Sequence, residues 1–192
     1  MLSNELIDWL YGVIASPVQT LRNISEAKPV RFAIALIVIL SLIPVLVDND
    51  YMTQDVFPGM GVWQDKLITF FMGLLFTALF LGSTHLLARL FAPEGTLAGF
   101  ISAYGFSRFP GILQFPLMLM GTTALLARIS LILSWGVSIW LLVLNIIALR
   151  ENYQMRTGGA IFLAIGAGIA SAFLLIIVGI IFGLGLAIVP GL

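Results

Sequence analysis

Five long apolar stretches, separated by short breaks with charged residues, glycine and proline, occupy most of this chain of 192 residues. Hydrophobic residues make up 60% of the sequence and charged residues only 9%. A water-soluble domain of this size leaves much of its surface in water, so it has no means of hiding so large an apolar fraction. Most of the chain is therefore predicted to lie in lipid.

The apolar stretches predict an all-α, polytopic membrane protein with five transmembrane helices. A bilayer core about 30 Å thick requires about 20 apolar residues per helix. These helices would form one membrane domain over residues 29–192, with spans near 30–47, 67–90, 97–121, 129–149 and 158–189. Pro110 and Pro116 interrupt the third span, because proline lacks the backbone donor that a helix needs.

Residues 1–28 precede the first span and predict two short amphipathic helices, near 2–13 and 17–24. Ser16-Pro17 is a typical helix start. Both helices are too short and too polar to cross a bilayer, so they are expected to lie along its cytoplasmic surface with Trp9 and Tyr11 at the depth of the headgroups. The alternative, which does not exclude the first, is that they pack under the helical bundle as a plug.

The distribution of positive charge predicts the orientation, because cytoplasmic loops are enriched in lysine and arginine. With a cytoplasmic N-terminus, only Lys66 and Arg128 lie near outer ends, and the acidic residues Asp48, Asp50 and Asp55 lie outside. The C-terminus would then also be outside. The residues near cytoplasmic ends would be Arg22, Lys28, Arg31, Arg89, Arg150 and Arg156. Arg150 and Arg156 are expected in a short polar loop, where they would anchor helix ends.

Composition also excludes several classes of function. Cysteine is absent and there is one histidine, so disulfides, thiolate chemistry and multi-histidine metal sites are not expected, nor is any cofactor. The net charge is zero, which gives no sign of nucleic-acid binding. The N-terminus lacks the basic region of a cleavable signal, so the first span is expected to act as the insertion signal.

The most unusual residue is Arg108, which lies roughly 16 Å into the third span at helical rise. A charge at that depth is costly and typically faces a cavity or a partner, yet no Asp or Glu lies in the middle of any span. One interpretation is a broken-helix polar site, formed by Tyr104, Ser107, Arg108 and Pro110 with Gln114 after the break. The other is that the Arg108 side chain extends to the membrane–water interface and does not form part of a polar site.

His85, near the predicted cytoplasmic end of the second span, is the other candidate for an intramembrane polar site. Ser83 and His85 are two residues apart on one helix and point in different directions, so they are not a nucleophile–base pair. His85 could relay protons, but a hydrogen-bonded packing role is the more common one.

The fifth span is rich in small residues at four-residue spacing, which allows close helix packing. The candidate packing residues are Gly166, Gly168, Gly179 and Gly183. We favour packing against the spans of this chain, with self-association as the alternative.

Two motifs carry a resemblance to a known family. Gly-Val-Ile-Ala-Ser-Pro at 12–17 precedes the first span, and Tyr-Gly-Phe-Ser-Arg-Phe-Pro at 104–110 lies in the third. With the five spans, they resemble the Ypt-interacting, or Yip-domain, membrane proteins in a short bacterial form. The resemblance implies a five-span protein of the bacterial inner membrane with a cytoplasmic N-terminus. Eukaryotic members are linked to vesicle traffic and small GTPases through a long N-terminal region that this chain lacks, so GTPase binding is not expected.

The sequence therefore favours a non-enzymatic integral membrane protein that organises the lipid bilayer, or that acts as a scaffold for a membrane-protein partner or a second copy of itself. The alternative is a small transporter or channel that uses the broken third span around Arg108.

Overall fold

The computed structural model describes residues 2–46, 61–92, 94–120 and 124–188, and none of these residues forms a β-strand. The predicted acidic segment around Asp48–Asp55 lies largely outside these residues. The described helices, in chain order, are α1 (Leu2–Ala15), α2 (Pro17–Ala27), α3 (Val30–Leu46), α4 (Val62–Phe91), α5 (Leu97–Ser107), a 3₁₀ segment (Phe109–Leu113), α6 (Gln114–Leu119), α7 (Ala124–Tyr153) and α8 (Thr157–Ile188).

Three of these helices contain a segment long and apolar enough to cross a membrane: Val62–Phe91, Leu125–Tyr153 and Thr157–Ile181. Their outer faces carry large apolar side chains, among them Phe162, which is 74% exposed. An all-helical architecture of the described residues, with three helices long and apolar enough to cross a membrane, is therefore confirmed. The number of crossings stays a prediction, because Val30–Ile43 is shorter and the third predicted span is three separate segments.

The end of α7 differs from the prediction. The sequence suggested that the fourth span stops at Leu149 and that a polar loop follows, but α7 continues to Tyr153. The reason is that Glu151 continues the row of buried residues formed by Leu144 and Ala148 at helical spacing. The buried face of the helix thus extends beyond its apolar residues, which the hydropathy pattern alone did not show.

The six basic residues that the sequence assigns to cytoplasmic ends share one end of the bundle, which we call the basic end. Here α2, the end of α4, the start of α5 and the end of α7 come together. Contacts between Arg22 and Glu151, His85 and Tyr153, and Thr96 and Asn152 join these elements. The clustering agrees with the charge argument, while a cytoplasmic location of this end stays a prediction.

The two N-terminal helices, which we call the hairpin (Leu2–Ala27), pack into the bundle on one side. Val13, Leu21 and Ile24 are fully buried against residues of α3, α5 and α7. Trp9 meets the ring of Phe106 edge-on, with 5.7 Å between centroids. One face of the hairpin thus packs against the bundle, and its position at the membrane surface stays a prediction.

The last helix, α8, packs on α4 through a row of buried residues: Ala160, Leu163, Ala167 and Ser171. The expected packing glycines are not in that row. A Cβ on Gly168 or Gly179 would meet no atom within 4 Å, and one on Gly166 would only approach Leu87 at 3.9 Å. A packing role of Gly168 and Gly179 within this chain therefore stays a prediction without a close contact in the described residues, and the surroundings of Gly183 lie outside them.

Candidate functional site

The predicted break in the third apolar stretch is present and centres on Arg108. Thr96 caps α5 by accepting a hydrogen bond from the N–H of Gly99 at 3.1 Å. The helix ends at Ser107, and the buried Pro110 lies in the 3₁₀ segment that follows. In this segment the N–H of Gly111 donates to the carbonyl of Arg108 at 2.8 Å, a hydrogen bond of the 3₁₀ type. The break thus replaces α-helical hydrogen bonds with a tighter turn.

Arg108 is bonded to Tyr104, one helical turn earlier on α5. Its Nη1 donates to the Tyr104 hydroxyl at 2.9 Å, and the guanidinium carbon lies 5.7 Å from the centre of the ring. Tyr104 is itself buried between the rings of Phe80 and Phe100. The arginine, which is half-buried, is therefore held by a neutral hydroxyl and an aromatic face, an arrangement that stabilises a partly desolvated cation.

The remaining predicted site residues have separate partners. Ser107 is buried, and its hydroxyl donates to the Tyr104 carbonyl at 2.8 Å, so it closes the end of α5. The Gln114 Nε2 donates to the Ser138 hydroxyl on α7 at 3.3 Å. The structure therefore brings Tyr104, Ser107, Arg108 and Pro110 together within two turns at the end of α5, whereas Gln114 connects the break to a neighbouring helix.

His85 makes its hydrogen bond away from the break at Arg108. Its Nδ1 shares a hydrogen bond of 2.8 Å with the hydroxyl of Tyr153, at the end of α7. The Tyr153 ring packs against Phe100 at 5.7 Å, and Phe100 packs against Tyr104 at 6.0 Å. His85 is therefore connected to Arg108 through a row of aromatic rings, and its observed contact is that of a hydrogen-bonded packing group.

Sequence reasoning missed the most strongly polar contact at the basic end. The carboxylate of Glu151, whose side chain is 4% exposed, is held between two arginines. Arg22 donates to Oε2 from Nε at 2.7 Å, and its Nη2 lies 2.6 Å from the same oxygen as an ion pair. Arg150 donates to Oε1 from Nε at 2.8 Å, and its Nη2 lies 2.5 Å from the same oxygen as an ion pair. We call this arrangement the arginine clasp. It ties α2 to the end of α7.

Close backbone contacts surround the clasp. The Asn152 Nδ2 donates to the Thr96 carbonyl at 3.1 Å. A Cβ on Gly99 would lie only 2.7 Å from the Ser25 carbonyl, and one on Gly95 would overlap the ring of Tyr153. Glycine at these two positions therefore lets α2, the start of α5 and the end of α7 approach closely. The sequence signal for this junction was the helical spacing that extends from Leu144 to Glu151.

Three clefts lie at the basic end, and Arg108 lines none of them. The first, of about 480 Å³, is lined by Arg22, Glu26, Arg150, Glu151, Gln154 and Met155. The second, of about 250 Å³, shares Glu26, Glu151 and Gln154 with the first and extends to Lys28, Glu94 and Thr96. The third, of about 510 Å³, lies between the hairpin and the start of α3. Within the described ranges, no three His, Asp or Glu side chains lie close enough to hold a metal ion.

These features define a helical membrane protein whose N-terminal hairpin is fastened to the bundle at its basic end. The family model of the Yip1 domain matches residues 11–189, so the chain belongs to the Yip1-domain family. This confirms the resemblance drawn from the two sequence motifs. Searches among curated proteins and among solved structures gave no match.

Proposed function

We propose that this protein is a non-enzymatic organiser of the bacterial inner membrane that presents its hairpin to the cytoplasmic leaflet. The observation that carries the proposal is that the hairpin has two apolar faces. One face is buried in the bundle, as described above. The other exposes Ile7, Tyr11 and Ile14, which are 63%, 71% and 47% exposed.

The exposed face suits insertion at the boundary between headgroups and acyl chains. Amphipathic helices bind there through their apolar side chains, and nearby cations add attraction to anionic lipids. Lys28 and Arg31, at the start of α3, supply such cations. Because the buried face attaches the hairpin to the bundle, insertion of the other face would displace lipids of one leaflet, which favours membrane bending or the recruitment of a partner to that surface.

We further propose that Arg108 extends toward the basic end and does not lie at the bilayer centre. A Cβ on Gly105 would lie 2.6 Å from the Ala33 carbonyl, so Gly105 and Ala33 lie at the same level. Arg108 then lies five residues of helical rise beyond Arg31, or roughly 8 Å, if α3 and α5 run side by side. Its bond to Tyr104 points back toward the basic end, the direction in which an arginine extends to reach headgroups.

The chemistry at the break agrees with a non-enzymatic role. The Ser107 hydroxyl is bonded to the backbone, and the partner of His85 is Tyr153, so neither is arranged as part of a nucleophile–base pair. The transporter alternative is not part of this proposal, because the hydrogen bond observed for Arg108 is with Tyr104 of its own helix. The five crossings, with the N-terminus inside and the C-terminus outside, are part of this proposal.

The test is vesicle shape after reconstitution of the purified protein. We expect the wild-type chain to produce smaller or tubular vesicles, seen by electron cryomicroscopy, and a variant with Ile7→Ser and Tyr11→Ser to lose that effect. Gln19→Ser, which changes an exposed polar residue of α2, is the matched control and should behave as wild type. Vesicles of the same shape with the double variant and with wild type would contradict the proposal.

A further inference from the structure

The arginine clasp carries more positive charge than its carboxylate neutralises. Two guanidinium groups hold one carboxylate, so the three side chains together have a charge of +1. Glu151 is 4% exposed, whereas the side chains of Arg150 and Arg22 are 29% and 58% exposed. A buried carboxylate needs compensation, but the second cation exceeds that need and faces the 480 Å³ cleft.

The clasp also holds the two guanidinium groups in position. Each guanidinium has five N–H donors in a fixed plane. Arg22 uses Nε and Nη2 for Glu151, which leaves its Nη1 for another acceptor as far as the described residues are concerned. Because both side chains are already restrained, an anion that binds there costs less side-chain entropy than it would at two free arginines. Phosphate oxygens, like carboxylate oxygens, match the geometry of the arginine fork.

The lining of the cleft also includes acidic groups. Glu26 lies one turn after Arg22 on α2 and lines the same cleft. The carbonyl end of α7 adds partial negative charge, at the point where Gln154 turns the chain with a φ of 49°. Arg22 and Arg150 are thus balanced by Glu26 and Glu151, so the cleft as a whole is neutral. That balance favours a ligand with both a phosphate and an ammonium group over a simple anion.

The surroundings of the cleft favour a lipid as the source of this ligand. Val18 lies one turn before Arg22 on the same face of α2 and is 39% exposed. Met155 lines the cleft itself. Along α2 the exposed face thus changes from an apolar residue to a cation and then to an anion, the order in which a phospholipid presents its acyl chain, phosphate and amine.

We propose that this cleft binds the headgroup of a zwitterionic phospholipid with a primary ammonium group, as in phosphatidylethanolamine. Arg22 and Arg150 hold the phosphate and Glu26 accepts hydrogen bonds from the ammonium. The site goes beyond the proposed insertion of the hairpin and does not depend on it, because the residues of the cleft are distinct from Ile7, Tyr11 and Ile14.

The first test uses the full chain in detergent, titrated with phosphatidylethanolamine, phosphatidylglycerol and phosphatidylcholine and followed by native mass spectrometry. We expect phosphatidylethanolamine to bind about fivefold more tightly than the other two, as for one partly exposed ion pair. Arg22→Gln should weaken its binding about tenfold, since a charge-assisted hydrogen-bonding group is lost. Arg156→Gln, an exposed arginine at the same end that does not line the cleft, is the control and should bind as wild type.

Glu26→Gln decides the proposal even if Arg22→Gln fails to fold. Glu26 is exposed, so the variant should fold as wild type, and its preference for phosphatidylethanolamine over phosphatidylglycerol should disappear. Equal binding of the two lipids by wild type, or an unchanged preference in Glu26→Gln, would overturn the proposal. Soluble phosphoethanolamine is the other molecule that offers both a phosphate and an ammonium group. If it displaces the lipid at an equal concentration, the ligand is a free phosphate ester and the lipid assignment is wrong.

Discussion

Glu151 shows how one residue can determine the junction between two distant segments. Its carboxylate lies almost wholly within protein and receives hydrogen bonds from arginines of α2 and α7. Arg108 is the counterpart near the break in the third apolar stretch. There a cation is held by a hydroxyl and an aromatic ring, without an acidic partner in the contacts described. In both cases the position of the charge is explained by the groups that compensate it.

Replacing Glu151 with Gln should destabilise the protein. The change leaves two arginines facing each other across a neutral amide, and loss of one member of a buried ion pair costs up to about 3 kcal/mol, less here because Arg22 is partly solvated. Thermal unfolding in detergent, followed by tryptophan fluorescence, should show a clearly lower Tm. Glu94→Gln, at an exposed position, is the control. Equal Tm values for Glu151→Gln and wild type would show that the clasp does not contribute to stability.

The depth of Arg108 can be measured directly because the chain has no cysteine. Because residue 108 is placed only roughly 8 Å deeper than Arg31, Arg108→Cys should react with a water-soluble maleimide at a rate between those of Arg31→Cys and Ile169→Cys. Ile169→Cys, on the exposed apolar face of α8, should react far more slowly because the thiolate is disfavoured in hydrocarbon. A rate for Arg108→Cys as slow as that for Ile169→Cys would place residue 108 in the bilayer centre.

At the scale of the elements, close helix approach occurs where glycine faces backbone. Gly105 lies against Ala33 of α3, and Gly99 lies against Ser25 of α2. Gly168 on α8 has open space instead. The distinction does not follow from small-residue spacing, since all three glycines lie in apolar helices. It depends on which side of each helix packs against another helix.

Gly105→Ala and Gly168→Ala should therefore change stability in opposite directions. The first adds a Cβ at 2.6 Å from the Ala33 carbonyl, and overpacking of this kind costs about 1–3 kcal/mol. The second adds a methyl group in open space within a helix, where alanine is preferred to glycine by up to about 1 kcal/mol. Thermal unfolding of both variants in the same detergent is the measurement. A loss of stability in Gly168→Ala would instead indicate that this face is packed, as in a dimer.

At the scale of the whole molecule, the helices form a bundle with one polar, basic end and long apolar surfaces. The spans α4, α7 and α8 expose large aliphatic and aromatic side chains along most of their length. The hairpin closes the basic end from one side. This member of the Yip1-domain family is thus an apolar bundle, and its polar contacts are concentrated at the end where α2, α4, α5 and α7 meet.

The orientation proposed for this bundle rests on the positions of its charges. We expect a membrane-impermeant thiol reagent on intact cells to label Val62→Cys, at the start of α4, and to leave Gln154→Cys, at the end of α7, unlabelled. Both positions are exposed, so access to solvent is matched. After the cells are opened, Gln154→Cys should also react. The reverse pattern in intact cells would place the basic end outside and contradict the proposed topology.

Much of the fold could be predicted because its causes are local. Helices in lipid must satisfy their own backbone hydrogen bonds, so apolar runs located α3, α4, α7 and α8 to within a few residues. The break near Pro110 and the pairing of Tyr104 with Arg108 are also local, since these residues lie within two helical turns. The expected extent of the polar loop after Leu149 was wrong, because burial of Glu151 depends on a residue far away in the chain.

The sequence by itself determined that this is a helical protein of the membrane, where its third apolar stretch breaks and which end is basic. Only the tertiary structure decided that Arg22 reaches Glu151, 129 residues away, that His85 meets Tyr153, and that Gly105 rather than Gly168 faces another helix. Hydropathy and backbone hydrogen bonding act over one or two turns of a helix and are visible in the order of residues. Partners across the bundle depend on how whole helices dock, which the local pattern does not specify.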